Sequence, residues 1–465
     1  MVYDERREII LLICIQIYLI YHMMCRYRNM TANDYDDIKL NQVDEFKDKI
    51  IKLYTWVLNI RKQGKNLAFL SLYDGTAEIQ AIAKRNELED NFDLIEEIYR
   101  GASLEIIGKI NEDIRAPNGY ELKIITLKII HPSAETYDSE VNHESSVDVK
   151  LSKRHIVLRG PKSSSVLRLA SHVLKYLRDF FYERGLEEVF PPLITEAQAE
   201  GGSEVFELKY FDNTAYLTQS SQLYLEAAIY SLRDVFCILP SYRAEKSRTK
   251  RHLTEYRHVE AEFSFANFEY LKDFIEDMII YIADKVNEND KDILRLWNRE
   301  LKVPNKPFKR ISYSAAIDLL KSEFNIEVPF GEDISDAPER QLVEYFDEPI
   351  ILEHFPTFMK PFYHKINDEN DKITNSADFI FPICGELVGS GERETDLNSM
   401  MERMKKMDPP LNYDDYYWYM DLRKYGSVPH SGFGLGLERL IQWLLGLDNV
   451  RDVTLFPRTV NRLSP

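Results

Sequence analysis

The most strongly charged segment in the second half of the chain could bind a phosphate or a carboxylate. Residues 241–262 read SYRAEKSRTKRHLTEYRHVEAE, in which eight Arg, Lys and His residues are interspersed with four glutamates. Polar and apolar residues alternate around Tyr256, which indicates a strand, so residues 246–251 would form the loop of a hairpin. An arginine on a strand can form two parallel hydrogen bonds with a phosphate or carboxylate, and a basic loop can contact a nucleic-acid backbone. The same charges also fit a solvated hairpin held by ion pairs.

Two further segments are rich in glycine and carry isolated charges. GELVGSGER, residues 385–393, places Glu386 and Arg393 seven positions apart, so that a strand with a tight turn could direct both into one pocket. SGFGLGLERL, residues 431–440, predicts a strand that runs into a helix, and its alternating glycines would let a ligand approach the backbone closely. The GxGxxG spacing of dinucleotide-binding proteins is absent from this segment. Taken alone, each segment also fits a structural glycine-rich turn.

The composition is that of a large globular protein. The 465 residues predict about two to four domains, and 44% apolar residues are enough for a large core. The formal net charge of −18 argues against a non-specific electrostatic coat on nucleic acid but leaves specific binding through a local basic patch open. The four cysteines form no CxxC pair, which disfavours a zinc site or a disulfide framework and fits a reducing cytosolic compartment.

The N-terminal residues 1–29 contain an apolar run, IILLICIQIYLI, at positions 9–20. The run is shorter than the roughly 20 residues that cross a bilayer, and no small-residue cleavage site follows it. We expect a non-native leader with the natural start near Met30, followed by an N-terminal segment, 30–45. A short anchor or targeting helix and a helix packed on the body are the alternatives.

The rest of the chain divides into a β-rich part and a mixed part. Residues 46–135 contain evenly spaced apolar runs, turn signals such as Asp74-Gly75 and one acidic helical stretch, a pattern that predicts a small closed β-barrel such as an OB-fold. The polar stretch 136–162 predicts a hinge. From Ser163 apolar residues recur at helical spacing until Gly185, and Val189-Phe190-Pro191-Pro192 then reads as a strand that ends at a proline corner.

The charged and glycine-rich segments, in this order, closely resemble the three signature motifs of class II aminoacyl-tRNA synthetases. GLEEVFPPL, 185–193, resembles the first motif, a dimer-interface element; the second and third are matched by Arg243-Ala-Glu245 with Arg251-His252-Leu253 and by GLGLER, 434–439. The N-terminal barrel makes the chain similar to class IIb, whose members charge lysine, aspartate or asparagine. The resemblance covers roughly residues 46–465. It implies an α+β fold, with an OB-fold anticodon-binding domain at 46–135 and a catalytic domain at 163–465, built on an antiparallel β-sheet flanked by helices.

Residues 195–230 and 416–439 resemble the asparaginyl-tRNA synthetases in particular. Aspartate-specific members usually read QSPQ and, after two further residues, a lysine that can pair with the substrate carboxylate, whereas this chain has Leu225 at that position and then Glu226. A carboxamide could donate its NH₂ group to Glu226 and accept from Arg393 at its carbonyl oxygen. An aspartyl-tRNA synthetase is the nearest alternative. A tRNA-independent asparagine synthetase is disfavoured by the barrel, and a non-catalytic tRNA-binding paralogue by intact Arg243, Glu386 and Arg439.

The resemblance implies a two-step, ATP-dependent reaction with no covalent enzyme intermediate. The asparagine carboxylate attacks the α-phosphorus of ATP to give asparaginyl-adenylate and pyrophosphate, and the terminal ribose hydroxyl of tRNA(Asn) then accepts the asparaginyl group. Arg243, Glu386 and Arg439 would be catalytic, with Glu386 also coordinating Mg²⁺. The ATP-binding residues implied are Arg243, Glu245, Arg251, His252, Leu253, Tyr256, Glu386, Gly436, Glu438 and Arg439. The asparagine-binding residues implied are Glu200, Gln222, Glu226 and Arg393.

The resemblance also implies an anticodon site on the barrel. Phe69 and Gln80 match class IIb positions at the central anticodon base, where an aromatic ring stacks and an amide forms hydrogen bonds. Tyr73 stands where the family often has Arg, so one contact near the anticodon is not implied by the resemblance. Gly389 stands where aspartate enzymes often have Ser, which leaves a possible second metal or substrate contact unassigned. Simple alternatives place Phe69 in the barrel core, Tyr256 in a strand core, and Glu200 and Glu226 on the surface. We expect a cytoplasmic homodimer without a membrane segment.

Overall fold

The computed structural model describes residues 36–196, 205–247, 249–407 and 410–465. The leader 1–29, part of the segment 30–45, and Glu200 therefore lie outside the described residues. The chain forms two compact units that divide between Lys150 and Leu151, a point inside the stretch predicted as a hinge. None of the helices in the described ranges is long and apolar enough to cross a membrane.

The first unit is a closed β-barrel, as predicted. Its strands are β1 (Asp36–Asp37), β2 (Ile50–Gln63), β3 (Leu67–Tyr73), β4 (Glu78–Lys84), β5 (Ser103–Glu112) and β6 (Tyr120–His131). They are hydrogen-bonded in the order β1-β2-β3-β4-β6-β5, and pairing of β5 with β2 closes the barrel. The acidic stretch forms a short helix, α1 (Arg85–Leu88), and a 3₁₀ helix (Glu89–Glu97); other 3₁₀ turns span Leu40–Phe46 and Pro117–Gly119.

Alternating side chains and one close backbone approach shape the barrel. On β3, Ala68 and Leu70 are buried while Phe69 between them points outward, which is the period-two pattern of a strand with one apolar face. The register of β5 against β6 shifts at Gly108, where an added Cβ would lie 2.7 Å from the carbonyl oxygen of Lys123. Only glycine fits that approach, so it marks a place where the sheet bends to close.

The second unit is built on an eight-stranded sheet ordered β13-β14-β15-β16-β17-β12-β11-β7, in which β13–β14 and β11–β7 are parallel and the other pairs antiparallel. Its strands are β7 (Glu187–Glu188), β11 (Asp234–Tyr242), β12 (Glu255–Ser264), β13 (Lys309–Ser312), β14 (Ile350–Glu353), β15 (Ser376–Phe381), β16 (Gly385–Glu392) and β17 (His430–Gly436). A small antiparallel sheet contains β8 (Ile194–Thr195), β9 (Glu207–Tyr210) and β10 (Asn213–Leu217).

Helices pack against the large sheet and form an apolar core with it. Short helices α2 (Tyr137–Glu140), α3 (Val147–Ser152) and α4 (Arg154–Val157) precede the helices α5 (Pro161–Glu183), α6 (Gln222–Leu232), α7 (Phe268–Asn289), α8 (Lys291–Leu296), α9 (Tyr313–Phe324), α10 (Asp336–Phe346), α11 (Leu397–Lys406), α12 (Tyr417–Lys424) and α13 (Leu437–Leu445). Further 3₁₀ turns span Thr357–Met359, Tyr413–Tyr416 and Val450–Asp452. Helices α5, α7 and α13 share one apolar cluster with the inner face of the sheet, where aromatic rings such as Phe181 and Phe274 pack.

The local predictions differ from the structure at two points. Helix α5 ends before Gly185, as predicted, but the strand that follows is Glu187–Glu188 rather than Val189–Phe190. Val189 still donates one hydrogen bond to the carbonyl oxygen of Phe236, after which Pro191-Pro192 has no N–H groups with which to continue the pairing. The predicted hairpin is present, since Tyr242 of β11 pairs with Glu255 of β12, but its connection is longer than 246–251 and spans 243–254.

Candidate active site

Most of the charged residues predicted for catalysis surround one cavity of about 370 Å³ in the second unit. The predicted residues in its wall are Gln222, Arg243, Arg251, His252, Leu253, Tyr256, Glu386, Arg393, Gly436, Glu438 and Arg439. Glu226 and Glu245 are near this set but are not in the wall; Glu245 lies 3.9 Å from Arg243, oxygen to nitrogen. The wall also contains polar residues that the sequence analysis missed: Ser220, His258, Lys360, Tyr363, His364, Asp378 and Ser390.

The hairpin places an aromatic and a cationic side chain on the same wall. Tyr256 and His258 are two residues apart on β12 and therefore share a face. The guanidinium carbon of Arg243 is 5.7 Å from the centre of the Tyr256 ring. Tyr256 thus lies at the cavity wall, where the resemblance expects it to stack on adenine. Burial lowers the pKa of His258, so this imidazole is neutral and leaves the positive charge of the wall to the arginines.

Arg439 and Glu386 connect the third motif with the glycine-rich hairpin. Arg439 lies in the first turn of helix α13, and its guanidinium donates to the backbone carbonyl of Glu386 while lying 3.7 Å from the carboxylate. Although burial opposes ionisation, Arg439, Lys360 and the other nearby arginines lower the pKa of Glu386 overall. The carboxylate is therefore charged at neutral pH and faces the cavity.

A shift in strand register brings a second carboxylate beside Glu386. Phe379 pairs with Val388 but Ile380 pairs with Glu386, so Leu387 is an extra residue on β16. The extra residue turns Glu386 to the face that carries Gly389 and its partner Asp378. A Cβ added at Gly389 would lie 3.1 Å from Glu386 Oε1 and 3.9 Å from Asp378 Oδ1, so the two carboxylates converge over this glycine.

The two converging carboxylates fit the requirements of Mg²⁺. This ion prefers oxygen donors and is usually held by one or two carboxylates together with water and substrate phosphates. Within the described residues no group of three or more His, Cys, Asp or Glu side chains could hold a metal by itself. Burial and the neighbouring Glu386 raise the pKa of Asp378 to about 6, although Lys360 at 2.9 Å opposes this. Asp378 is thus still mainly ionised at neutral pH.

Glu226 lies behind the cavity wall rather than in it. It is fully buried on α6, so the alternative of a surface charge does not hold. Its Oε1 accepts a hydrogen bond from Gln222 Nε2 at 2.9 Å, and its Oε2 accepts from the Tyr419 hydroxyl at 2.7 Å, from His430 Nε2 at 2.9 Å and from Arg423. Despite burial, Arg423, His430 and Arg393 lower the pKa of Glu226 well below its usual range.

This network determines how Gln222 faces the cavity. A carboxylate only accepts hydrogen bonds, so Gln222 must turn its NH₂ group towards Glu226, and its carbonyl oxygen remains for the cavity. Arg393, which also lines the cavity, is 3.8 Å from Glu226 and donates to Glu262 Oε1 at 3.1 Å. The structure therefore places an acceptor, Gln222, and a donor, Arg393, in the wall, with Glu226 supporting both from behind.

The glycines of β17 make room for polar side chains of the neighbouring strand β12. A Cβ added at Gly432 would lie 2.1 Å from the Glu262 carboxylate, and one at Gly434 would lie 2.4 Å from His258 Nε2. Real Cβ atoms do not approach other atoms this closely, so these positions require glycine. The glycine-rich motif is thus part of the site itself and more than a turn.

The predicted anticodon residues lie together on the outer face of the barrel. Phe69 and Gln80 line a shallow cavity of about 200 Å³. The guanidinium carbon of Arg61, which also lines it, is 4.9 Å from the centre of the Phe69 ring. The alternative that Phe69 belongs to the barrel core does not hold, because its neighbours Ala68 and Leu70 are the residues that point inward.

Comparisons with known proteins agree with both units. The family model for tRNA synthetases class II (D, K and N) matches residues 146–460, and the model for OB-fold nucleic acid binding domains matches residues 51–130. Curated relatives include the cytoplasmic asparagine–tRNA ligase of Bos taurus, 42% identical over 92% of this chain and 78% of the relative. The asparagine–tRNA ligase of Thermoplasma acidophilum is 39% identical over 89% of this chain and 96% of the relative.

Solved structures of asparaginyl-tRNA synthetases are also similar to this chain over most of its length. The asparaginyl-tRNA synthetase of Pyrococcus horikoshii complexed with asparaginyl-adenylate has a TM-score of 0.87 and 37% identity, covering 92% of this chain and 99% of that one. The enzyme of Entamoeba histolytica in complex with asparaginyl-adenylate has a TM-score of 0.86 and 38% identity, covering 93% and 100%. A putative aspartyl-tRNA synthetase from Leishmania major is less similar, at 26% identity and a TM-score of 0.81. The chain belongs to the asparaginyl-tRNA synthetases, within the class II tRNA synthetases of the D, K and N group.

Proposed function

We propose that the protein is an asparagine–tRNA ligase, which activates asparagine with ATP as asparaginyl-adenylate and transfers it to the 3′ end of tRNA(Asn) in cytoplasmic translation. The observation that carries this proposal is the composition of the wall of the cavity in the second unit. One part of it holds Arg243, Arg439 and Glu386, which suit a nucleotide, and another holds Gln222 and Arg393, which suit a carboxamide. Relatives that share the fold are described as complexes with asparaginyl-adenylate, which has a nucleotide and a carboxamide in one molecule.

In the first step the cavity positions two negatively charged reactants. Arg243 would contact the α-phosphate and the asparagine carboxylate, so that attack proceeds between groups already aligned and partly neutralised. Tyr256 and Arg439 would cover the two faces of adenine, and the ATP site would be completed by Glu245, Arg251, His252, Leu253, Gly436 and Glu438. Glu386 and Asp378 would hold Mg²⁺, which when bound neutralises charge on the phosphates. Glu200 would bind the substrate ammonium.

Selection of asparagine over aspartate would follow from the charges behind the wall. Glu226 is ionised and lies within hydrogen-bond distance of Gln222, so a substrate carboxylate would be repelled and would meet the carbonyl oxygen of Gln222. A carboxamide offers an NH₂ group to that acceptor and a carbonyl oxygen to Arg393. Leu225, at the position of the lysine in aspartate enzymes, is fully buried and supplies no cation.

ATP–pyrophosphate exchange with asparagine and with aspartate, measured side by side on the full chain, tests the activity and its specificity. We expect exchange with asparagine and little or none with aspartate. Exchange with aspartate would keep the chemistry but overturn the specificity argued from Glu226 and Arg393. If folded protein exchanged with neither amino acid, a non-catalytic paralogue would be the better interpretation.

We assign the outer face of the barrel to the anticodon of tRNA(Asn), with Phe69 stacking on the central base and Gln80 bonded to it. Stacking of one base on an aromatic ring contributes about 1–3 kcal/mol. Phe69→Ala is therefore expected to lower kcat/KM for aminoacylation of tRNA about 5- to 150-fold and to leave ATP–pyrophosphate exchange unchanged. Tyr54→Ala, which removes an exposed ring outside this cavity, is the matched control. Equal effects of the two substitutions on aminoacylation would argue against the assignment.

We further propose domains at 46–135 and 163–465 joined by a hinge at 136–162, and a cytoplasmic homodimer. The division between Lys150 and Leu151 and the cytoplasmic relatives support these assignments. Phe190, in the segment that resembles the dimer-interface motif, is 78% exposed in the single chain. Sedimentation velocity tests the dimer, and a monomeric mass at micromolar concentration would contradict it.

A further inference from the structure

Helix α10, which lies outside the three signature motifs, places two carboxylates on an arginine of the ATP site. Its residues Asp336 and Glu339 are one helical turn apart and therefore share a face. Arg251 Nε is 2.7 Å from Asp336 Oδ1, and Arg251 Nη1 donates to Glu339 Oε2 at 2.7 Å. The side chains of Arg251 and Glu339 are only 12% and 11% exposed, so solvent screens this contact weakly.

The backbone of Gly385 fixes the same guanidinium from another side. Gly385 has a φ of +69°, and an added Cβ would lie 1.6 Å from Arg251 Nη1. The guanidinium group therefore lies directly against the chain at the residue before Glu386. Two carboxylates from one helix and one glycine backbone hold a side chain that lines the cavity.

We propose that Asp336 and Glu339 are positioning residues that hold Arg251 in the orientation that receives the phosphates of ATP. This inference rests on the proposed function, because it takes the cavity to be an ATP site. A free arginine side chain loses rotamer entropy when it is fixed. In this protein the helix α10 imposes that order before ATP arrives, so less affinity is lost on binding.

Glu339→Gln and Asp336→Asn test the proposal, because each replaces a carboxyl group by a neutral amide with almost no change in shape. For each we expect the KM for ATP in pyrophosphate exchange to rise about 5- to 30-fold, less than for the full loss of a hydrogen bond to a charged group, because each amide oxygen can still face Arg251. The kcat and the KM for asparagine should change less than twofold. In an Arg251→Ala background, Glu339→Gln should have no further effect on the KM for ATP, since it acts only through Arg251.

Glu344→Gln is the matched control, because Glu344 is an exposed residue on the same helix and undergoes the same substitution. Thermal unfolding of every variant shows whether a change in KM comes from loss of the fold. Calorimetric titration with ATP alone gives the same comparison of variants without asparagine, so it still decides the inference if exchange fails.

Three results would overturn the inference while leaving the proposed function intact. If folded Glu339→Gln binds ATP as the unchanged protein does, the ion pair does not position Arg251. If it binds ATP more tightly, the carboxylates compete with the phosphates for Arg251 and so hinder binding. An additional loss on combining Glu339→Gln with Arg251→Ala would likewise show that Glu339 acts by another route. Absence of exchange and of ATP binding in the unchanged, folded protein would reject both the inference and the proposed function.

Discussion

Alanine in place of Arg243 is expected to reduce kcat/KM for ATP–pyrophosphate exchange about 10²- to 10³-fold. This is the cost of removing one donor aimed at charge that develops during a reaction. Arg243 lines the cavity beside Tyr256, where it would contact both the α-phosphate and the asparagine carboxylate. No other arginine of the wall is assigned to both reactants, so the loss should appear in the first step, before tRNA takes part.

Arg257→Ala is the matched control for this substitution. Arg257 is an exposed arginine on the same hairpin, and its side chain is not part of the cavity wall. We expect near-normal exchange from this variant despite the same loss of charge. A reduction in aminoacylation by Arg243→Ala with normal exchange would contradict the assignment, because it would place Arg243 in tRNA binding alone.

Glutamine in place of Glu226 is expected to lower the free energy of unfolding of the second unit by about 3–5 kcal/mol, the usual cost of leaving a buried charge unpaired. Arg423, which has no exposed side-chain surface, would lose its carboxylate partner, and Arg393 would keep only Glu262. Whichever way the new amide turned, its NH₂ group would face a donor that now binds one of the two Glu226 oxygens. Urea denaturation measures the stability, and the KM for asparagine should rise in the same variant because Gln222 loses its fixed orientation.

The double variant Glu226→Gln with Arg423→Met separates charge pairing from packing. Removing both charges leaves no unpaired guanidinium at this position, so its urea midpoint should lie above that of Glu226→Gln alone. Its KM for asparagine should stay high, since Gln222 still lacks the carboxylate. Near-wild-type stability of the single variant would mean that Glu226 is not the ionised centre of the network.

Residues carried by contiguous motifs could be predicted from the sequence, and their mutual position followed from the sheet. The cavity is lined by Arg243, Glu386, Arg393 and Arg439. These residues lie on or next to β12, β16 and β17, which are neighbouring strands of the large sheet. The barrel could also be predicted, because apolar residues that alternate along a strand, such as those on either side of Phe69, show which face of the strand is buried.

The surroundings of Glu226 could not be predicted in this way. Its partners Tyr419, Arg423 and His430 are 193, 197 and 204 positions away, on elements whose packing no local pattern specifies. The sequence predicted that Glu226 would contact the substrate, whereas in the structure Glu226 holds Gln222, the residue that faces the cavity. Asp378 was missed for a related reason, because it meets Glu386 only through the extra residue Leu387, and period-two alternation alone would place Glu386 on the opposite face.

The glycines of the central strands also limit how the specificity of this enzyme could evolve. Gly432, Gly434 and Gly391 each leave space that a charged or imidazole side chain from elsewhere in the unit already fills. A larger residue at any of these positions would collide with the side chain that fills the space, and removal of that side chain alone would leave a void at the glycine. A mutational path to another amino acid therefore requires paired changes along these strands, whereas Gln222, held by one hydrogen bond to Glu226, is a position where a single step is structurally tolerable.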